Sequence, residues 1–472
     1  LPLLILAGGG TATFLVGAFW RRRPAGLLFA LALVTPGAAA AATLLLPSPG
    51  PGVEGLLDLG GYFRFFTSLL TFITVITLLL VRRYSATHGF AGDELYALLV
   101  FAALGMVLVV AGANWVIFFL GLELMSLALY VLIAIRRGEP YGNEAALKYF
   151  IMGAVASAFL TFGLALLYAM TGTLQIAGSL VAVQAYPGQL PVILLALALI
   201  FTGIGFKLSI VPFHLWTPDV YQGAPAPVTA FLSTGSKVAL FAALLRFALA
   251  AAPPVWDYAW PVLWVLALLT MAVGNLTALY QTRVKRLLAY SSIAQMGYLL
   301  MTLVAARDGG APAVMFYLAI YAVMDLGAFG IVGTFSGGDR DREELSDYQG
   351  LGYTHPWRAA VLSVCLLSLA GLPPTAGFMG KLALFRAVLH ADFIILAVLG
   401  MLTVIISIYY YINVVIHLYM HEKDAAPAVP GADLAIGLAG VAILVAILGL
   451  GIVPEPLLRV ISMIVAALPQ PV

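Results

Sequence analysis

Apolar runs of about 20 residues, the length an α-helix needs to cross a bilayer, follow one another along most of this 472-residue chain. Few charges interrupt them. Only 9% of residues are Asp, Glu, Lys or Arg and 63% are hydrophobic, whereas a soluble domain carries about 25% charged residues. A water-facing surface cannot be built from such a composition. The short alternating segments of a membrane β-barrel, about ten residues each, are absent. The sequence predicts an all-α polytopic membrane protein with about fourteen transmembrane helices. Their centres fall near residues 10, 36, 72, 103, 124, 158, 202, 238, 270, 295, 322, 372, 405 and 445. The chain opens on Leu1, and its first apolar run is read as a span because it is too long for a signal-peptide core and lacks a convincing cleavage site.

Loop cations orient such a chain, because cytoplasmic loops are enriched in Lys and Arg. Arg21, Arg22 and Arg23 follow span one, Arg82 and Arg83 span three, and Arg136 and Arg137 span five. Arg283, Lys285 and Arg286 follow span nine, Arg340 and Arg342 span eleven, and Lys423 span thirteen. With fourteen spans all of these share one face, read as cytoplasmic, and both termini face the periplasm. The opposite loops, 48–61 and 251–260, are poor in cations. Residues 336–356 form the longest hydrophilic loop, and residues 171–191 on the other face are expected to hold a short interfacial helix.

Several chemistries are excluded. A net charge of +2 without a basic, aromatic-rich cluster gives no nucleic-acid surface. The single cysteine, Cys365, permits no internal disulfide and no cysteine-ligated zinc or iron–sulfur site. The histidines lack metal-ligand spacing; His417 and His421 read as a solvated helix end beside Glu422 and Lys423. There is no Gly-rich phosphate loop and no nucleophile triad. Cofactor-dependent chemistry is therefore expected in a partner.

Two spans are broken. The seventh contains FKLSIVPFHLWTPDVYQGAP and the twelfth LSLAGLPPTAGFMGK. Proline removes a backbone donor and clashes with the preceding turn. At bilayer depth such a break survives only where protein or a wet cavity resatisfies the backbone. The breaks lie five helices apart, and paired interruptions point to inverted repeats around an ion site. Spans four to eight (residues 91–252) and nine to thirteen (253–423) are the expected repeats, with residues 1–90 as three leading helices and 424–472 as the last.

Three of the six lysines, Lys207, Lys237 and Lys381, lie inside apolar stretches. A charge at bilayer depth costs at least about 2.5–3.5 kcal/mol, so each is a functional candidate. The bland alternative, snorkelling to the interface, needs a nearby helix end. Glu123 is the only acid in span five, and Lys207 is its natural partner, since pairing offsets part of the cost of burial. The alternative is a protonated carboxyl bonded to backbone. Lys237 has Ser233, Thr234 and Ser236 around it to hold water. Lys381 follows Pro373 and Pro374 and stands closest to an exit. Glu144 and Lys148, four apart with the acid first, form a favourable helical pair. They read either as a surface salt bridge or as a proton-entry element or contact to Glu123. His214, after the seventh-span break, suits either proton shuttling or capping. Asp325 is a further mid-span acid with a polar neighbour expected. Asp219 reads as a loop or cap residue, and Tyr409, Tyr410 and Tyr411 as packing.

The strings HLWTPDVYQGAPAPVTAFLSTGSK, LSLAGLPPTAGFMGKLALF, GNEAALKYFIMGAVASAFL and RVKRLLAYSSIAQMGYLL resemble the N-type antiporter-like subunits of respiratory complex I, over essentially the whole chain. The W-x-P-D-V-Y-x-G-A-P form points to the N-type over the L- and M-types. The resemblance implies fourteen core helices, two inverted five-helix repeats and a proton relay. Glu123 and Lys207 match its first pair, Lys237 the central lysine and Lys381 the terminal ionisable residue, where the M-type usually has glutamate. Glu144, Lys148 and His214 match its supporting residues. It also implies proton translocation coupled to quinone reduction, with FMN, iron–sulfur clusters and quinone in partner subunits, M-type and K-type neighbours, and a bacterial cytoplasmic membrane. Two departures are STGSK, where relatives have proline before the lysine, and Asp325, where a neutral polar residue is usual. The long lateral helix of the L-type is not expected. Rival readings are a multisubunit sodium/proton antiporter, a ferredoxin- or F420-linked dehydrogenase, and a scaffold whose lysines bind anionic lipid. Lipid headgroups sit at the interface, which speaks against the last.

Overall fold

The computed structural model describes residues 1–20, 25–46, 55–90, 93–184, 187–336, 341–420 and 433–468. Arg21, Arg22, Arg23, Arg340, His421, Glu422 and Lys423 lie outside the described residues. Helices α1 (Pro2–Phe19), α2 (Ala25–Leu45), α3 (Gly61–Thr87), α4 (Asp93–Ala111), α5 (Trp115–Ile133) and α6 (Pro140–Thr171) come first. A short α7 (Ile176–Val181) occupies the loop where an interfacial helix was expected. Next are α8 (Leu190–Leu208), α9 (Thr217–Gly223), α10 (Ala226–Phe231), α11 (Lys237–Ala250), α12 (Pro253–Ala278), α13 (Val284–Val304) and α14 (Ala311–Thr334). After the turn α15 (Leu351–Thr354) follow α16 (Pro356–Ala370), α17 (Ala376–His390), α18 (Ile394–Met420), α19 (Leu434–Ile452) and α20 (Glu455–Ala466). Thirteen helices among the described residues are long and apolar enough to cross a membrane. The half-helices α16 and α17 occupy the place of the expected twelfth span.

Three segments form the centre. Residues 226–250, α13 and α14 are buried along almost all of their length, whereas α1, α6 and α19 keep broad apolar faces outward. Lipid tails are as apolar as leucine, so close packing rather than hydrophobic exclusion joins such helices. Small residues supply it: a Cβ on Gly274 would stand 2.6 Å from the backbone of Ala294, drawing α12 against α13.

Both breaks are resatisfied by protein. At the first, α8 ends at Leu208, and Ser209 takes a left-handed conformation (φ 60°). The Ile210 N–H donates to Gly205 O at 2.9 Å, Val211 N–H to Thr270 Oγ1 at 3.1 Å, and Trp216 Nε1–H to Phe206 O at 2.8 Å. The break therefore begins two residues after Lys207, nearer than the proline position implies. At the second, Gly371 (φ 85°) ends α16, its N–H donating to Ser368 O at 2.9 Å. The Gly377 N–H then reaches Ser368 Oγ at 3.0 Å. A π-helical turn, Leu232–Ser236, joins α10 to α11 in the segment that departs from the proline pattern; such bulges frequently mark functional positions.

Candidate functional site

Helix α5 carries Glu123, Ser126 and Tyr130 at i, i+3 and i+7, one face of a helix. Glu123 is half-buried against α6 and accepts a hydrogen bond from Ser157 Oγ at 2.5 Å. Lys207, next to last in α8, is 2% exposed. Its ammonium donates to Ser126 Oγ at 2.8 Å and Tyr130 OH at 3.2 Å, and stands 4.8 Å from the Tyr149 ring centroid. No direct ion pair joins Lys207 to Glu123 among the described residues. The amine meets Ser126 and Tyr130 on the same face of α5 in place of direct contact with the carboxylate. Hydroxyls and aromatic faces stabilise the cation.

Lys237 begins α11 just after the π turn and is fully buried. The hydroxyls of Ser233, Thr234 and Ser236 do not surround its amine. Each donates to a backbone carbonyl in the preceding turn, a common arrangement for hydroxyls inside helices. The amine instead donates to Ser292 Oγ on α13 at 2.7 Å. Ser292 shares a 2.7 Å hydrogen bond with Tyr321 OH, and Tyr321 OH lies 3.1 Å from Asp325 Oδ2. Asp325 thus has its polar neighbour, while its second oxygen is buried on the side of Ser233 and completes no hydrogen bond of normal geometry among the described residues.

Lys381, on α17, reaches back across the second break. Its amine donates to Leu369 O at 2.8 Å and Ala370 O at 3.1 Å, the carbonyls left open at the end of α16, where cations are favoured. Gln295 Nε2 of α13 contacts the same Leu369 oxygen at 3.4 Å and Tyr411 OH at 3.2 Å. Tyr411 in turn bonds Ser291, and Tyr317 bonds Gln295 Oε1. Two polar sets therefore meet on α13: Lys237 bonds Ser292, and the next residue back, Ser291, is bonded to Tyr411, which leads through Gln295 and Leu369 O to Lys381. Tyr410 OH meets Asn275 Oδ1 at 3.0 Å. Of the three tyrosines read as packing, only Tyr409 turns outward. Sequence reasoning missed Ser291, Ser292 and Gln295, although their helical spacing inside an apolar run was the available signal.

The supporting residues are placed elsewhere. Lys148 pairs with Glu144 at 2.7 Å and with Asp219 at 2.9 Å, and Asp219 pairs with Arg286 at 2.7 Å. The contact from this group goes to Asp219, in the first turn of α9, and not to Glu123. Asp219 is therefore an ion-pair centre rather than a simple cap. His214 is half-buried beyond the first break, and its Nδ1 has no hydrogen-bond partner among the described residues.

A second polar centre, also unforeseen, lies on the cation-rich face. Asp341 accepts from Tyr84 OH at 2.8 Å, meets His88 Nε2 at 3.0 Å and Arg136 at 3.3 Å, and stands 3.7 Å from Lys285 Nζ. Lys285 is not a loop anchor: it is buried and donates to Gln222 O and Ala224 O. No group of three or more His, Cys, Asp and Glu among the described residues is arranged to hold a metal.

Broken membrane helices with buried lysines beside them define an antiporter-like membrane subunit. The family described as NADH:quinone oxidoreductase/Mrp antiporter, TM matches residues 112–407. NADH-quinone oxidoreductase subunit N 1 of Solidesulfovibrio magneticus is 52% identical over 402 residues, covering 84% of this chain and 85% of its own. Subunit N of Geotalea uraniireducens is 43% identical over 464 residues, covering 98% of each. A chain of respiratory complex I from Thermus thermophilus superposes with a TM-score of 0.82 at 37% identity, covering 97% of this chain and 99% of its own. A chain of the Mrp complex from Dietzia sp. gives 0.86 at 23% identity, covering 98% of this chain and 96% of its own, a likeness of fold alone. The chain belongs to the NADH:quinone oxidoreductase/Mrp antiporter transmembrane family and, within it, to the subunit N group of NADH-quinone oxidoreductase.

Proposed function

We propose that this chain translocates protons across the bacterial cytoplasmic membrane as the membrane-arm subunit N of NADH:quinone oxidoreductase, driven by quinone reduction elsewhere in the complex. The chain does no redox chemistry itself; FMN, iron–sulfur clusters and quinone belong to partner subunits. Its M-type and K-type neighbours flank it within the bilayer, the cation-rich face is cytoplasmic and both termini are periplasmic. Residues 91–252 and 253–423 form two inverted repeats, a reading supported by a broken helix and a buried lysine in each.

The observation that carries this reading is a pair of hydrogen-bonded sets, Lys237–Ser292–Tyr321 and Ser291–Tyr411–Gln295–Leu369 O–Lys381, that meet at the neighbouring residues Ser292 and Ser291 of α13. Buried ionisable residues joined in this way at bilayer depth mark proton relays. In the proposed cycle a charge change in a neighbour shifts the balance between Glu123 and Lys207, a proton passes from Lys207 to Lys237, and Lys381 releases it. Glu144, Lys148, His214 and Asp325 support the path. A sodium/proton antiporter subunit shares the fold, but the level of identity to subunit N relatives favours the redox-driven complex.

The test uses the assembled complex in sealed membrane vesicles. Lys237→Ala and Glu123→Ala are expected to lower the number of protons moved per NADH oxidised, with the other subunits still co-purifying. Wild-type stoichiometry in both variants would overturn the reading. Sodium transport without co-purifying redox subunits would support the antiporter instead.

A further inference from the structure

The three lysines are joined unequally. Between Lys237 and Lys381 stand hydroxyls, an amide and a carbonyl, with one step along α13, from Ser292 to Ser291, that no hydrogen bond spans. Between Lys207 and Lys237 stand aromatic rings. Tyr149, under Lys207, stacks on Trp216 at 4.5 Å, and Trp216 meets Tyr221 edge-on at 6.0 Å. The Trp216 N–H is already engaged by Phe206 O. Tyr221 differs. It is fully buried, its hydroxyl lies toward Ser292 without completing a hydrogen bond of normal geometry among the described residues, and its ring centroid lies 5.5 Å from Lys237 Nζ. Leaving such a hydroxyl unmatched costs about 1–3 kcal/mol, and each such group in a native fold calls for a reason.

A second observation concerns how Tyr221 is held. It sits in the last turn of α9, whose carbonyl end is gripped from α13. Lys285 Nζ donates to Gln222 O at 2.9 Å and Ala224 O at 3.1 Å. Lys285 stands seven residues before Ser292 on the same helix, about two turns along one face. Ser292 is the residue that receives the Lys237 amine. One helix therefore fixes both Tyr221 and the partner of Lys237. Asp341 sits beside the Lys285 ammonium and ties it to α3 and α5 through Tyr84, His88 and Arg136.

We propose that Tyr221 is a further proton-relay residue, standing between Lys207 and Lys237, and that Lys285, held by Asp341, is the positioning residue that aims it. The assignment rests on the proton-translocation reading above. In the step, water carries a proton from the Lys207 ammonium to the phenol oxygen while the phenol O–H bond breaks toward the neutral Lys237 amine. Lys207 ends neutral, Lys237 ends as an ammonium, and the phenol is regenerated. No electron moves.

The experiment compares Tyr221→Phe, Lys285→Arg and Lys285→Met with Lys237→Ala, each in the assembled complex in vesicles. Protons moved per NADH oxidised are the readout, alongside NADH oxidation rate and co-purification of the other subunits. Tyr221→Phe removes one oxygen and is expected to lower the ratio as far as Lys237→Ala does, with assembly intact. Lys285→Met is expected to lower the ratio and to speed amide hydrogen exchange over residues 219–229. Lys285→Arg, which still donates to both carbonyls, is expected to restore both. If Lys237→Ala lowers the ratio and Tyr221→Phe leaves it at the wild-type value, the assignment of Tyr221 is overturned and proton translocation stands. If neither lowers it, both fall. If Lys285→Met leaves ratio and exchange unchanged, the positioning role is overturned.

Discussion

The Lys381 amine lies 2.8 Å from the carbonyl oxygen of Leu369, twelve residues earlier and on the far side of the broken helix. The lysine of the second half-helix thereby completes the first. Replacing it with methionine leaves the Ala370 carbonyl without this donor and the Leu369 carbonyl with only the longer contact from Gln295. Each unsatisfied buried group costs about 1–3 kcal/mol. Lys381→Met is expected both to lower the unfolding temperature of the complex's membrane arm and to reduce protons moved per NADH. Lys381→Arg should recover most of the stability and less of the transport.

Gly371 provides an independent handle on the same amine. Its φ of 85° suits glycine, and an added Cβ would stand 2.8 Å from Lys381 Cδ. A left-handed alanine costs about 1–3 kcal/mol, and the clash pushes the lysine aside. Gly371→Ala is expected to reproduce the transport loss of Lys381→Met while leaving every ionisable group in place, measured as proton uptake against NADH oxidation.

Gln295 joins Tyr411 to the Leu369 carbonyl. Gln295→Leu keeps the volume roughly constant and removes the polar link. The amide does not itself titrate but orders the Tyr411 hydroxyl, so transport through this subunit is expected to fall with assembly unchanged. Wild-type stoichiometry in this variant would show that protons do not take this route.

The Asp341 centre has a defined pH window. Burial alone would raise its carboxyl, but Lys285, His88 and Tyr84 outweigh that and hold it well below the usual carboxylate range. A depressed carboxyl contributes stability above its unfolded value, about 3.9, and loses it as pH falls through the folded value. The strap is therefore expected to hold throughout the neutral range and to open only in strong acid. Asp341→Asn removes one partner of a largely buried ion pair, at a cost of about 3–5 kcal/mol. It should flatten the acid limb of a stability-against-pH curve.

What could be read from the sequence was what obeys local rules. The spans follow from run length, the breaks from Pro212 and the Pro373–Pro374 pair, and Lys207, Lys237 and Lys381 from the cost of a charge in hydrocarbon. Their partners were not legible in the same way. Ser292 and Tyr321 look like ordinary residues of apolar helices until α13 and α14 are packed together. The separation of Glu123 from Lys207 depends on side-chain direction across a helix pair, which spacing does not encode. Asp341 meets Tyr84 across 257 positions, and no short-range pattern announces such a contact. Lys285 was misread because a lysine beside two arginines in a loop normally reports orientation, and only the path of α9 buries it.

Helix α13 carries the acceptor for Lys237 at Ser292, the amide that reaches the Leu369 oxygen at Gln295, and the cation that grips α9 at Lys285. A turn of this helix by one residue step, about 100°, would unseat all three together. The helix is built like a camshaft: three contacts in different parts of the protein share one axle, and none could be released by rotation without the other two.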